Sequence, residues 1–379
     1  MKSDKKLYRL AIIGGSVDSA VGYNHLIASQ MDHRFEIVSA CFSKNPDVSE
    51  ETRALWNMDS VRIYADWKSL ISKEKDLIDA VAILTPTPSH YEMVMACLDL
   101  GIPTICEKSL ASNCNEVTDI CETQKKTNCF LAVTHNYTGY PMVRELAALT
   151  ADGYFGRVTH VKIEMPQEGF VRLDMNHGKP CPQAWRLSDG VIPGVSLDLG
   201  THLQHMIHYI TGENPQSLVG DQSTFGLFAD VIDDVSIMAR YPSGMKSTMW
   251  FSKSALGHRN GMRVRIYGSN GSAEWFQMEP ENLIVHDIHG NKRCLDRAGD
   301  VKVANHSRYN RFKPGHPAGF IEAFANIYVD IADKLDEYFV TELVDLNWTY
   351  GAKQAQIVLK VLDLAGESSA KKEWVDVVP

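Results

Sequence analysis

The chain has 379 residues, 44% of them hydrophobic and 22% charged, which at roughly 150 residues per domain suggests two domains with full cores and excludes fibrous or largely disordered chains. Its 38 basic and 47 acidic side chains leave a net charge of −9, which argues against nucleic acid or an anionic membrane as the main partner. No apolar run approaches the ~18 residues of a membrane span, and the stretch Leu10 to Ile13 is too short for a signal peptide, so a cytoplasmic protein is expected.

The first third alternates short apolar runs with amphipathic stretches. Tyr8 to Ile13 reads as a buried strand ending in Gly14-Gly15, followed by a helix from Gly22 to Met31 and a second strand from Phe35 to Phe42. A further helix precedes the short run Val61 to Tyr64, and Trp67 to Ile71 reads as another helix. Then come a strand Ala80 to Leu84, a helix Tyr91 to Leu100, a strand Pro103 to Cys106, a helix Glu116 to Thr127 and a strand Phe130 to Val133. Strands with little polar alternation, spaced by helices, predict a doubly wound parallel sheet covered on both faces, an α/β Rossmann arrangement.

Beyond about residue 157 the rhythm changes. Arg157 to Glu164 alternates as a half-exposed strand does. Hairpin signals follow at Pro242-Ser-Gly244, Gly268-Ser-Asn-Gly271 and Gly290-Asn291. They predict a C-terminal α+β domain built on an antiparallel sheet, with helices at about 140–152, 199–211, 317–335 and 348–365. The boundary falls near 135–140, giving domains 1–137 and 138–379. The eight cysteines contain no Cys-x-x-Cys pair and read as free thiols of a reducing compartment.

Three groups of residues carry candidate chemistry. Gly14, Gly15, Ser16 and Gly22 form a lengthened glycine-rich turn between a strand and a helix, where backbone N–H groups and the helix N-terminus attract a pyrophosphate. At the end of the second strand no acid precedes Asp47, so Ser43 and Lys44 are candidates for a 2′-phosphate. Lys44 reads equally well as a solvated loop lysine, and the cofactor is left as NAD or NADP. Next, the apolar strand Pro103 to Cys106 switches abruptly to Glu107-Lys108, which projects Lys108 from the carboxyl end of the sheet; Thr85, Pro86 and His90 leave the preceding strand in the same way.

The third group is Asp198-Leu-Gly-Thr-His202. On an α-helix the two residues lie about 40° apart, so a carboxylate can orient an imidazole and raise its basicity, as a general base requires. His205 falls on the same side. These three residues also have the types of metal ligands, but no second cluster of ligand spacing accompanies them, so no metal is expected.

Taken in order, these motifs resemble the glucose–fructose oxidoreductase/inositol dehydrogenase (Gfo/Idh/MocA) family over nearly the whole chain. The resemblance rests on the glycine loop ending Gly22-Tyr-Asn-His25, Thr85-Pro86 with His90, and Glu107-Lys108. It continues through Gly156-Arg-Val, Trp185-Arg186, Asp198-x-Gly200-x-His202, and Gly315-His316-Pro-x-Gly319. It implies an N-terminal Rossmann domain, and a second domain whose open antiparallel sheet forms a homodimer or homotetramer. It also implies NAD(P)-dependent hydride transfer at a hydroxyl or keto carbon of a sugar, sugar derivative or cyclitol.

In the family roles His202 is the acid/base, Asp198 orients it, and Lys108 polarises the reacting oxygen. Tyr137, Trp185, Arg186, His205 and His316 are candidate substrate contacts, joined by Lys108 and His202. Ser109 stands where the family has proline and His205 where many members have aspartate. Two competing readings are a redox-neutral glycosidase or lyase acting through a transient keto sugar, and a non-catalytic NAD(P) sensor.

Overall fold

The computed structural model describes residues 5–378, which divide into two compact units. In the first, β1 (Tyr8–Gly14), α1 (Gly22–Gln30), β2 (Phe35–Cys41), α2 (Pro46–Leu55), β3 (Arg62–Ile63), α3 (Trp67–Glu74), β4 (Ala80–Leu84), α4 (His90–Asp99), β5 (Thr104–Glu107), α5 (Cys114–Thr127) and β6 (Leu131–Thr134) follow one another. Their strands pair in parallel in the order β3-β2-β1-β4-β5-β6. Every residue of β4, β5 and β6 is buried, as expected for strands covered on both faces. The order reverses between β1 and β4, which opens a crevice beyond their carboxyl ends.

The second unit contains α6 (Pro141–Ala151), β7 (Val158–Pro166), α7 (Thr201–Thr211), β8 (Ser217–Ser223), β9 (Asp234–Arg240), β10 (Lys246–Ser252), β11 (Arg263–Gly268), β12 (Gly271–Phe276), β13 (Leu283–Asp287) and β14 (Lys292–Leu295). Two long helices, α8 (Phe320–Thr341) and α9 (Ala352–Lys371), and a short β15 (Val375–Asp376) close the chain. Among the described residues this unit holds a nine-stranded sheet in the order β14-β13-β12-β11-β7-β10-β9-β8-β15. Its neighbours pair antiparallel except β7 with β10, which run parallel. β9 alternates strictly: Val235, Ile237 and Ala239 are buried while Ser236, Met238 and Arg240 are exposed.

α8 departs from the sequence reading, which places it with the second domain. The compact division assigns Phe320–Ala355 to the first unit. There Arg34 pairs with Asp333 at 2.5 Å and Asp336 at 2.6 Å, and the Tyr8 hydroxyl donates to Asp336 at 2.6 Å. The backbone of α8 also lies against the turn at Gly139, where a Cβ would meet the Ala323 carbonyl oxygen at 2.1 Å. Local periodicity reads α8 as an amphipathic helix but carries no information about which sheet it covers. Among the described residues no helix is long and apolar enough to cross a membrane, and all eight cysteines are free thiols.

Candidate active site

The glycine turn sits at the sheet's switch point. Gly14 and Gly15 have φ of +82° and +73°, a backbone region that disfavours side chains. A Cβ on Gly22 would lie 2.1 Å from the Gly15 carbonyl oxygen, so only glycine lets α1 start this close to β1. The Ser19 hydroxyl accepts from the Gly22 amide at 3.1 Å. The residue before the helix offers no side-chain cap, and the first turn carries no acid. A helix whose first turn carries no acid, starting beside a glycine cradle at the sheet's switch point, fits a dinucleotide pyrophosphate. Ser16 is buried at this turn.

At the end of β2, Ser43 closes a small loop: its hydroxyl accepts from the Asn45 amide at 3.1 Å, and Ser49 donates to its carbonyl at 3.2 Å. Lys44 is exposed. Pro86 opens a single helical turn, Thr87–Ser89, ahead of α4. His90 is fully buried, with Nε2 2.7 Å from the Thr85 carbonyl oxygen and Nδ1 2.7 Å from that of Ser109. One imidazole thus braces the segments that leave β4 and β5. Burial pulls its pKa below the ordinary histidine value despite the opposing pull of the two carbonyls.

Glu107 ends β5 in the interior, and Lys108 follows it half-buried. The Lys108–Ser109 peptide bond is cis. Glu107 accepts from Thr134 and lies 3.1 Å from His25 Nε2. Burial raises the Glu107 pKa, but the hydrogen bond and charge of His25, the charge of Lys108 and the Thr134 hydroxyl outweigh it, holding the carboxyl below its usual range. Tyr137 lies in the Asn136–Gly139 turn, buried against Phe320 with ring centroids 6.2 Å apart.

In the second unit Asp198 is nearly buried, and Arg186 and Lys253 both bind it, Lys253 at 2.7 Å. The segment carrying it, Ser196–Gly200, is a π-helical turn leading into α7. Its i→i+5 hydrogen bonds break the 100°-per-residue arithmetic used for the Asp198–His202 pair, and such turns recur at functional sites. Gly200 explains the glycine of this motif: a Cβ there would meet Phe251 Cζ at 2.8 Å and Leu362 Cδ2 at 2.7 Å. His202 and His205 follow on α7, both buried, with the His205 ring 6.3 Å from that of Tyr209.

Arg186 stacks over Trp185 at 4.7 Å, and Gln183 accepts from both side chains. Burial pushes the Arg186 pKa down to about 10. His316 belongs to a different cluster, stacked on Phe312 with its carbonyl accepting from Arg297 at 3.1 Å. Among the described residues no group of three or more His, Cys, Asp or Glu is disposed to hold a metal ion.

Lys253 was not singled out by the sequence. It is nearly buried just past β10, and its ammonium also donates to Gln167 at 2.6 Å. The available signal was an apolar run, Met249-Trp-Phe, followed by a lysine at the strand end, the pattern that marks Lys108. Thr134, and Tyr328, whose hydroxyl lies 2.8 Å from His25 Nδ1, had no local signal at all.

A parallel sheet in the order β3-β2-β1-β4-β5-β6 with a glycine cradle at its switch point is the arrangement of a dinucleotide-binding domain. Residues 8–135 match the oxidoreductase-family NAD-binding Rossmann fold, and residues 143–274 match the GFO/IDH/MocA C-terminal domain. The chain belongs to the Gfo/Idh/MocA family. It is 30% identical to the uncharacterized oxidoreductase YfiI of Bacillus subtilis, over 98% of this chain and 97% of that protein. Levoglucosan dehydrogenase of Pseudarthrobacter phenanthrenivorans is 25% identical, over 88% and 87% of the two chains. The crystal structure of an inositol dehydrogenase homologue from Azotobacter vinelandii, complexed with NADH and myo-inositol, superposes with a TM-score of 0.88 at 24% identity, covering 98% of both chains.

Proposed function

We propose that this oxidoreductase interconverts a hydroxyl and a keto carbon of a sugar, sugar derivative or cyclitol, using NAD or NADP. Support comes from relatives whose names carry levoglucosan and myo-inositol. The observation that carries the reading is the place of Lys108, at the carboxyl end of β5 in the sheet whose switch point holds the glycine cradle.

The bound nicotinamide accepts or supplies the hydride. His202 takes the substrate hydroxyl's proton during oxidation and returns it during reduction. Asp198, fixed by Arg186 and Lys253, orients the imidazole. Lys108 donates to the reacting oxygen and stabilises its developing negative charge. Trp185, Arg186, Tyr137, His205 and His316 shape recognition of the remaining hydroxyls. Gly14, Gly15, Ser16 and Gly22 hold the pyrophosphate, Ser43, Lys44, Thr85 and Pro86 line the rest of the cofactor site, and the buried His90 and Glu107 support it from behind. The protein works in the cytoplasm as a homodimer or homotetramer built through the C-terminal sheet.

The test is a panel of sugars, anhydrosugars and cyclitols incubated with each cofactor while reduced nicotinamide is followed by absorbance. Cofactor-dependent turnover of a polyol is the expected result. Cleavage of a glycoside without net reduction of the cofactor overturns it, as does cofactor binding with no turnover across the panel.

A further inference from the structure

In the second unit two largely buried cations share one carboxylate oxygen. Arg186 Nη1 and Lys253 Nζ both pair with Asp198 Oδ2, Lys253 at 2.7 Å. The Arg186, Lys253 and Asp198 side chains are 21%, 10% and 7% exposed. Beyond Asp198, the Lys253 ammonium donates to Gln167 Oε1 at 2.6 Å, and Arg186 Nε donates to Gln183 Oε1 at 3.3 Å. Both of these further acceptors are neutral amides.

The neighbouring carboxylates are committed elsewhere. Glu168, next to Gln167 in the chain, accepts from Arg172 at 3.0 Å and from the Gly257 amide at 2.9 Å. Asp189 accepts from the amides of Gly194 and Ile232 at 2.8 and 2.7 Å. Asp233 accepts from the amides of Phe225 and Gly226 and from the Ser254 hydroxyl. A buried cation is stable where an anion offsets its lost hydration, and here Asp198 alone serves two. Burial pushes the Arg186 pKa down to about 10, the direction of a guanidinium short of compensating negative charge.

Arg186 also has donors to spare. A guanidinium carries five N–H groups in a rigid planar fork. Nε is spent on Gln183 and Nη1 on Asp198, and among the described residues Nη2 has no hydrogen-bond partner. Trp185 covers one face of the fork, with the guanidinium carbon 4.7 Å from its ring centroid, and fixes its plane. We propose that Arg186, backed by Lys253, is an anion subsite, and that the sugar or cyclitol this protein takes carries a carboxylate. That carboxylate accepts from Nη2 and supplies the second negative charge, which a hydroxyl does not. That the bound acid is then oxidised or reduced rests on the dehydrogenase reading; the charge preference of the subsite does not.

The experiment reads binding, so it needs no turnover. The full-length protein, saturated in parallel with NADH and with NADPH, is titrated calorimetrically with sugar acids and their neutral amides. The pairs are gluconate and gluconamide, glucuronate and glucuronamide, and galacturonate and galacturonamide, which differ in charge and hardly in shape. At least one acid is expected to bind about ten- to a hundredfold more tightly than its amide, the worth of a hydrogen bond to a charged group. Arg186→Gln is expected to erase most of that preference, and Arg186→Lys to keep part of it.

Asp198→Asn separates recognition from mere support of the fold. It keeps the shape of the side chain and removes the internal anion, so acids should bind about tenfold more tightly while amides hardly change. A purely structural Asp198 would weaken both, and that result overturns the proposal. So does equal binding of acid and amide across the panel, absence of binding by every acid, or a preference that Arg186→Gln leaves intact. An acid preference with no turnover of any acid or polyol sustains the anion subsite and refutes the dehydrogenase reading. Turnover of neutral polyols with no preference for acids does the reverse.

Discussion

The two units of this chain solve the same problem with opposite kinds of sheet. In the first, β4, β5 and β6 are buried along their whole length. Such strands can offer chemistry only where they stop, and Glu107-Lys108 follows directly from that constraint. In the second, strands such as β9 bury every other residue, and the charged cluster draws on a π turn (Asp198), a single helical turn (Arg186, in Ala184–Leu187) and a strand end (Lys253). A parallel sheet concentrates function at its carboxyl edge, whereas the mixed sheet serves as a platform for groups delivered by loops and helix starts.

The largest effects should come from the proton-handling residue of each unit. Lys108→Met and His202→Gln are each expected to lower kcat/KM by about 10²–10⁴-fold, with binding of reduced nicotinamide, read by fluorescence titration, preserved. A loss confined to one of the two variants would break the symmetry between the units.

Glycine substitutions sharpen the contrast. In Gly22→Ala the new methyl meets backbone, the Gly15 carbonyl at 2.1 Å, which cannot yield without moving β1 or α1. Overpacking of this kind costs about 1–3 kcal/mol, and dinucleotide binding should weaken with it. In Gly200→Ala the nearest atoms are the ends of the Phe251 and Leu362 side chains, so the loss should be smaller. Urea denaturation of both variants, with a nucleotide titration of the first, measures this difference.

Lys253→Met removes one of the two cations on Asp198, and hydrogen bonds to charged groups contribute about 1.5–3 kcal/mol. Stability to urea should fall within that range, and Lys253→Arg should recover part of it. An unaltered midpoint in Lys253→Met would mean that Arg186 alone fixes the carboxylate.

The smallest effect is a pH slope in the first unit. The Glu107 carboxyl has a lowered pKa in the folded protein, so its contribution is complete above the ordinary glutamate value of about 4.3. That contribution is lost as pH falls through the depressed folded value. Stability measured by urea denaturation should therefore fall more steeply on the acid side in the parent than in Glu107→Gln. Equal slopes would show that Glu107 is not held ionised by its neighbours.

What was legible in the sequence follows the same division. Gly14, Gly15 and Lys108 stand at or just past the ends of unbroken apolar runs, and such runs have few interpretations in a doubly wound sheet. The position of α8 was hidden, because an amphipathic helix announces that it has a partner without identifying it; Arg34, Tyr8 and Gly139 supply that information only in three dimensions. The π turn at Asp198 was equally hidden, since its five residues, Ser196–Gly200, are too few for a changed period to be read. Lys253 lay within reach of the strand-end rule but follows a half-exposed strand, where a lysine looks ordinary.

The central claim is direct hydride transfer between substrate carbon and nicotinamide. Once a polyol substrate is found, the decisive measurement uses that substrate deuterated at the reacting carbon, with mass spectrometry of the recovered cofactor. One deuterium per turnover on the reduced nicotinamide is the predicted result. Deuterium released to solvent, or product formed while the nicotinamide stays unlabelled, would contradict it.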